Sequence, residues 1–209
     1  MKFYLSSYKF GNEVEKLKSM IPANNRIGHI NNSRDFTNRD PERAEKNQND
    51  EIDFLNNLGF EAEVLDLKDY FDNEEELRHK FKSLGAVWVS GGNVFIIRQA
   101  MQLSGFDTLF NELEQKDDFL YSGYSAGICV LSISLKSYDQ VDDANDFPYE
   151  KINEPIWEGL GVFDYALLPH YDSDHPESKL IDKEIKRCID KKWPFKALKD
   201  GDVLIIDHD

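Results

Sequence analysis

The residues best suited to chemistry are a serine in Gly123-Tyr124-Ser125-Ala126-Gly127 and a histidine in Leu167-Leu168-Pro169-His170-Tyr171. A serine hydroxyl is a weak nucleophile until a neighbouring base takes its proton, and an imidazole titrates in the range where it can do so. The apolar run Phe119-Leu120-Tyr121 precedes the serine and Ile128-Cys129-Val130-Leu131 follows it. Strand, tight turn and helix in that order is the setting of a nucleophile elbow, with glycines where the backbone must crowd a neighbouring strand. The hydroxyl would then stand above the C-terminal edge of a sheet. Free N–H groups at the start of the following helix would favour developing negative charge there. Gly-x-Ser-x-Gly by itself is expected by chance in roughly one chain in fifteen of this length, so its context is what gives it weight.

A second signal is Ser90-Gly91-Gly92-Asn93, which follows the apolar run Ala86-Val87-Trp88-Val89. A Gly-Gly turn at a strand end exposes main-chain amides to a substrate. The amides of Gly92 and Ala126 are therefore candidates for an oxyanion hole; the plain alternative is a βα turn with Asn93 as helix cap. Of the five histidines, His29 ends an early strand, while His79 in a charged helix and His208 at the tail read as solvated surface. His175 lies in a polar loop and is the nearest rival, which leaves His170 as the base. A carboxylate is also needed to hold the imidazole tautomer. Residues 138–148 offer Asp139, Asp142, Asp143 and Asp146, and the pattern does not choose among them.

These residues need elements to hold them. Apolar runs predict strands over 2–5, 26–30, 61–67, 86–90, 119–123 and 162–168, with a terminal pair of short strands inside 197–206 around Asp200-Gly201. Helices are predicted over 40–58, 74–84, 94–103, 107–115, 126–132 and 177–190, the first capped by Asp40 and closed by Gly59. Strands alternating with helices imply a mostly parallel sheet covered by helices on both faces, an α/β fold. No Pro/Gly/Ser-rich linker divides residues 1–209, so one domain is expected.

A net charge of −15 repels phosphate backbones and anionic lipid, which argues against nucleic acid and membrane partners. Two cysteines, Cys129 and Cys188, make neither a disulfide framework nor a zinc pattern. No segment reads as a signal peptide or a bilayer span, so a cytoplasmic location is expected. A content of 40% hydrophobic and 12% aromatic residues supplies a core and excludes a disordered chain.

The Gly91-Gly92-Asn93 turn, Gly123-Tyr124-Ser125-Ala126-Gly127, and Gly161-Val162-Phe163 followed by Leu168-Pro169-His170-Tyr171 together resemble the dipeptidase E family of serine peptidases, which includes the cyanophycinases. The resemblance spans residues 2–207. It implies a three-layer fold like that of class I glutamine amidotransferases, with Ser125 in place of cysteine. It also implies a Ser-His-Asp (or Glu) triad, an oxyanion hole from Gly92 and Ala126, no cofactor and no metal. The partner it implies is a small peptide substrate, and a homodimer is compatible with it. The family's Asn-Asp-Met-Pro stretch matches Asn145-Asp146-Phe147-Pro148, which puts Asp146 first as the triad carboxylate; a gapless count from Ser125 lands beside Asp139, the second choice. The arginine found downstream of the histidine in aspartyl dipeptidases has no counterpart in residues 175–183, so a preference for aspartate is not carried over. The alternatives to a peptidase are an esterase-like serine hydrolase and a catalytically silent binding protein on the same fold.

Overall fold

The computed structural model describes residues 1–38 and 40–207, so His208 lies outside the described residues. The strands are β1 (Lys2–Ser6), β2 (Arg26–Ile30), β3 (Glu61–Val64), β4 (Ala86–Val89), β5 (Leu120–Tyr124), β6 (Ala166–Leu168), β7 (Phe195–Ala197) and β8 (Val203–Ile206). The helices are α1 (Val14–Ser19), α2 (Pro41–Leu58), α3 (Glu74–Phe81), α4 (Val94–Ser104), α5 (Phe106–Leu113), α6 (Ala126–Cys129) and α7 (Ser178–Lys191). Six strands form one sheet in the order β3-β2-β4-β5-β1-β8. All its pairings are parallel except that of β8, which runs antiparallel to β1.

Side chains alternate across this sheet, as the two-residue repeat of a strand requires. Phe3, Leu5, Val87, Val89 and Tyr121 join the larger core with α3, α4, α5 and α6. Tyr4, Ile27, Ala86, Trp88 and Leu120 face the other way and pack with Leu17 of α1 and Leu55 of α2. Helices thus cover both faces, giving the expected three layers.

The element ends follow local chemistry. Asp40 caps α2 by accepting from the Arg43 N–H at 3.2 Å, and Gly59, at φ 112°, closes it in the left-handed region. Asn93 caps α4, its side chain accepting from the N–H groups of Phe95 (2.7 Å) and Ile96 (3.2 Å).

One helix is added to the expected elements and two expectations are corrected. Helix α1, six residues long, is too short to show a helical repeat and escaped the sequence pattern. The strand expected over 162–168 is only Ala166–Leu168, and it lies in a separate two-stranded sheet, parallel to β7. The terminal strands do not pair with each other. Asp202 N–H does bond Lys199 C=O at 2.9 Å in a tight turn, but β8 continues to the open edge of β1. There its residues are divided between the two cores, Leu204 and Ile206 on one side and Val203 and Ile205 on the other, which a lone hairpin could not provide.

Candidate active site

Ser125 occupies the junction of β5 and α6 with φ 49° and ψ −118°, a backbone conformation that a non-glycine residue holds only under constraint. The constraint is the close approach of α6 to the sheet. A Cβ on Gly127 would sit 2.1 Å from the Val89 carbonyl oxygen, so only glycine lets the helix start there. Ser125 N–H donates to Ser6 C=O at 3.4 Å, which ties the turn to the end of β1.

Gly92 stands in the turn between β4 and α4 with φ 155°, and a Cβ there would lie 2.4 Å from the Ser33 carbonyl oxygen. Neither the Gly92 nor the Ala126 N–H makes a hydrogen bond among the described residues, so both remain available as donors.

His170 follows β6, just beyond the end of the strand, in the left-handed region at φ 63°. Its Nε2 lies 3.1 Å from Ser125 Oγ and its Nδ1 lies 2.7 Å from Asp200 Oδ1. Asp200 stands in the turn between β7 and β8, where its N–H donates to Ser173 Oγ at 2.8 Å. Hydroxyl, imidazole and carboxylate therefore form a continuous hydrogen-bonded chain. The imidazole is only 1% exposed. Burial pushes its pKa below the ordinary histidine value; Asp200 opposes that shift and nearby His175 adds to it.

The two carboxylates expected from the sequence are elsewhere. Asp146 accepts from the hydroxyl and the N–H of Thr37, and its carbonyl accepts from Gln99 Nε2 at 2.9 Å. Asp139 forms an ion pair with Arg187 of α7. The chain between α6 and β6 is irregular and is held by isolated bridges (Ser132 to Phe163, Ser134 to Glu158), so no count along it fixes which aspartate approaches His170. Asp200 was legible only as a turn residue beside Gly201, a common role that hides any other. The usable signal was positional: like His170, it follows a short strand.

Of the remaining aspartates in that segment, Asp142 accepts from Val94 N–H at 2.8 Å, and Asp143 C=O accepts from Asn93 Nδ2 at 2.8 Å. Burial pushes the Asp142 carboxyl up to about 7 despite its amide donor. Both line a cleft of about 1080 Å³ that also reaches Ser125, His170 and Gly92.

Beneath Tyr124, the residue before Ser125, Glu51 of α2 gathers a buried polar network. It accepts from Ser90 Oγ (2.6 Å), Tyr124 OH (2.7 Å), Arg34 Nη2 (3.0 Å) and Trp88 Nε1 (3.2 Å), and His29 Nε2 lies 3.0 Å away. Burial disfavours its charge, but His29, Arg34 and Ser90 outweigh that and hold the pKa at about 2. Nothing in the sequence marked this cluster.

His175 stacks on His170 with ring centroids 3.7 Å apart and planes at 9°. With Glu177 they offer three ligand atoms within 4.8 Å of one another, the one grouping of three potential metal ligands among the described residues. Parallel rings direct their in-plane lone pairs side by side and not toward one point. In addition, His175 Nδ1 accepts from Glu177 N–H at 3.3 Å, so the trio is poorly arranged for a metal.

Relatives share this frame. A candidate peptidase E protein of Listeria monocytogenes, known from its crystal structure, superposes with a TM-score of 0.71 at 20% identity, covering 100% of this chain and 98% of its own. The crystal structure of a peptidase from an acI-B1 actinobacterium gives 0.70 at 16% identity, over 99% of this chain and 83% of its own. These likenesses concern the fold. In sequence, uncharacterized peptidases of Listeria monocytogenes and Listeria innocua are each 30% identical, over 57% and 42% of this chain. The matched stretches span 55% and 39% of those relatives, about half their length or less. The family model for peptidase family S51 matches residues 42–209, the stretch that carries Ser125, His170 and Asp200. This chain therefore belongs to peptidase family S51, a family of serine-type peptidases, as the three motifs led one to expect.

Proposed function

We propose that the protein hydrolyses short peptides by acyl transfer, with Ser125 as nucleophile, His170 as general base and acid, and Asp200 as the carboxylate of the triad. The observation that carries this reading is the chain from Ser125 Oγ through His170 to Asp200, at 3.1 and 2.7 Å. Asp200 accepts the Nδ1 proton, which leaves the Nε2 lone pair for the serine hydroxyl. Ser125 Oγ attacks the carbonyl carbon while its proton passes to Nε2. The amides of Gly92 and Ala126 bind the oxyanion, the imidazolium protonates the leaving amine, and water then releases the acyl group by the same steps in reverse.

The cleft is at the upper end of the size range of small-ligand sites, which favours a short peptide over a folded protein substrate. No described helix is long and apolar enough to cross a membrane. A cytoplasmic location belongs to the reading, in keeping with two unpaired, buried cysteines.

A dipeptide library screen with Ser125→Ala as control tests the proposal, with fluorophosphonate labelling alongside. Turnover and labelling in the wild type are expected, and both should vanish in the variant. Peptide hydrolysis that survives Ser125→Ala would sink the assignment.

A further inference from the structure

Ser7 takes no part in the steps above, yet its hydroxyl touches two of the three segments that meet at the site. It is the residue after β1 and is fully buried. Its Oγ accepts from the main-chain N–H of His170 at 2.9 Å. The single hydroxyl proton has two acceptors in reach, Asp200 Oδ1 at 3.0 Å and Leu198 C=O at 3.3 Å. The Asp200 oxygen is the nearer, and it is the same oxygen that receives the His170 Nδ1 proton. One hydroxyl thus ties the backbone of the base to the carboxylate that orients it.

The end of β1 is the common reference for the whole rim. The strand pairs with β5 so that Ser6 stands opposite Tyr124, and Ser6 C=O accepts from Ser125 N–H. The next residue, Ser7, is held in turn by its own N–H to Asp202 C=O at 3.0 Å. Nucleophile, base and carboxylate are therefore registered against two consecutive residues of one strand end. His170 needs such a hold. Its φ of 63° is disfavoured for a side-chain-bearing residue and persists only where the surroundings over-determine it. Its amide is buried, so without Ser7 Oγ it would lack an acceptor.

We infer that Ser7 is a positioning residue for catalysis, its hydroxyl locking the His170 main chain and the Asp200 carboxylate into register with Ser125. This rests on the proposed triad. The plain alternative is a buried serine that merely satisfies polar neighbours and supports the fold.

The two are separated by measuring Ser7→Ala, Ser7→Thr and Ser7→Cys in the full chain, on a peptide that the wild type cleaves. The downfield proton resonance of His170 Nδ1–H, assigned by its loss in His170→Ala, gives a readout independent of turnover and is also recorded on a Ser125→Ala background. Ser7→Ala is expected to lower kcat about 10- to 100-fold with KM within about twofold, and to shift or broaden the resonance. Ser7→Thr, which keeps the hydroxyl, is expected to restore most of the rate and the resonance. If the alanine protein does not fold, the near-isosteric cysteine, a weak hydrogen-bonding group, takes its place with the same expectation.

A folded Ser7→Ala or Ser7→Cys protein with kcat within twofold of wild type overturns the inference. So does a rate loss with an unmoved resonance and a fall in Tm, or a folded threonine variant as slow as alanine. Turnover persisting in Ser125→Ala or His170→Ala would instead remove the triad on which the inference rests, so the two failures are distinguishable.

Discussion

His170 and His175 lie face to face, 3.7 Å between ring centroids and 9° between planes, with Tyr8 edge-on to both rings. Burial of His170 lowers its pKa, and a charge on His175 acts in the same direction against the opposing Asp200. The base must be neutral to accept the serine proton, so a lowered pKa extends activity to more acidic pH. The acid limb of kcat/KM is expected below the ordinary histidine value of 6.5. In His175→Ala that limb should move upward. A pH–rate profile for the two proteins checks the sign, and an unmoved or lower limb would contradict it.

The carboxylate assignment gives the sharpest contrast. Asp200→Asn should reduce kcat on the order of 10³- to 10⁴-fold, because the amide no longer enforces the productive tautomer. Asp146→Asn and Asp139→Asn should each change kcat less than about threefold, since Thr37 and Arg187 are their partners. Steady-state kinetics on the three variants decides it. An Asp146 variant as slow as the Asp200 variant would reverse the assignment.

Gly92→Ala tests the proposed oxyanion site. The added methyl would meet the Ser33 carbonyl at 2.4 Å, and the turn must move to relieve the contact. Displacing one oxyanion donor is expected to cost about 3 kcal/mol in the barrier, a hundredfold or more in kcat. Circular dichroism should confirm that the variant remains folded.

Glu51 should matter for stability through its buried partners. Glu51→Ala leaves Arg34 and His29 without their carboxylate and is expected to cost about 3 kcal/mol, or roughly 6–12 °C in Tm. The pH dependence has a definite sign. A carboxyl whose pKa is about 2 in the folded protein, against 4.5 without the fold, contributes stability that is fully present above 4.5. That part is lost as pH falls from 4.5 toward 2. The Tm difference between wild type and variant should therefore shrink over that window in a thermal melt series.

Asp142 carries the opposite sign. Its carboxyl is raised to about 7, so the folded protein holds a proton there that the unfolded chain releases near pH 4. Stability is therefore lost as pH climbs from about 4 to 7. Asp142→Asn removes that penalty, and its Tm relative to wild type should rise by a few degrees between pH 5 and pH 8. A Tm difference that does not vary with pH would count against the shifted carboxyl.

Much of the rim could be read from residue types. The Ser125 turn declared itself because a strand, two glycines and a helix must occur together for so tight an approach, and all are local in the chain. His170 was found from its place after an apolar strand, although that strand belongs to a second small sheet. The tie of Asp200 to His170, on which the proposed triad rests, leaves no local signal because it arises from the separate docking of β8 on β1 and β7 on β6. Pairings across the sheet leave no trace in local spacing. The Glu51 network was hidden for the same reason: its members come from β2, α2, β4, β5 and the turn after β2. Hydrophobic repeats located those elements but not which polar residue on each would face the others.

The antiparallel partner of β1 has a consequence for when the molecule becomes competent. Asp200 lies in the turn that leads into β8, so its carboxylate stands beside His170 once β8 has paired with β1. On the proposed triad, the Ser125 hydroxyl therefore stays unactivated until that one antiparallel pairing has formed.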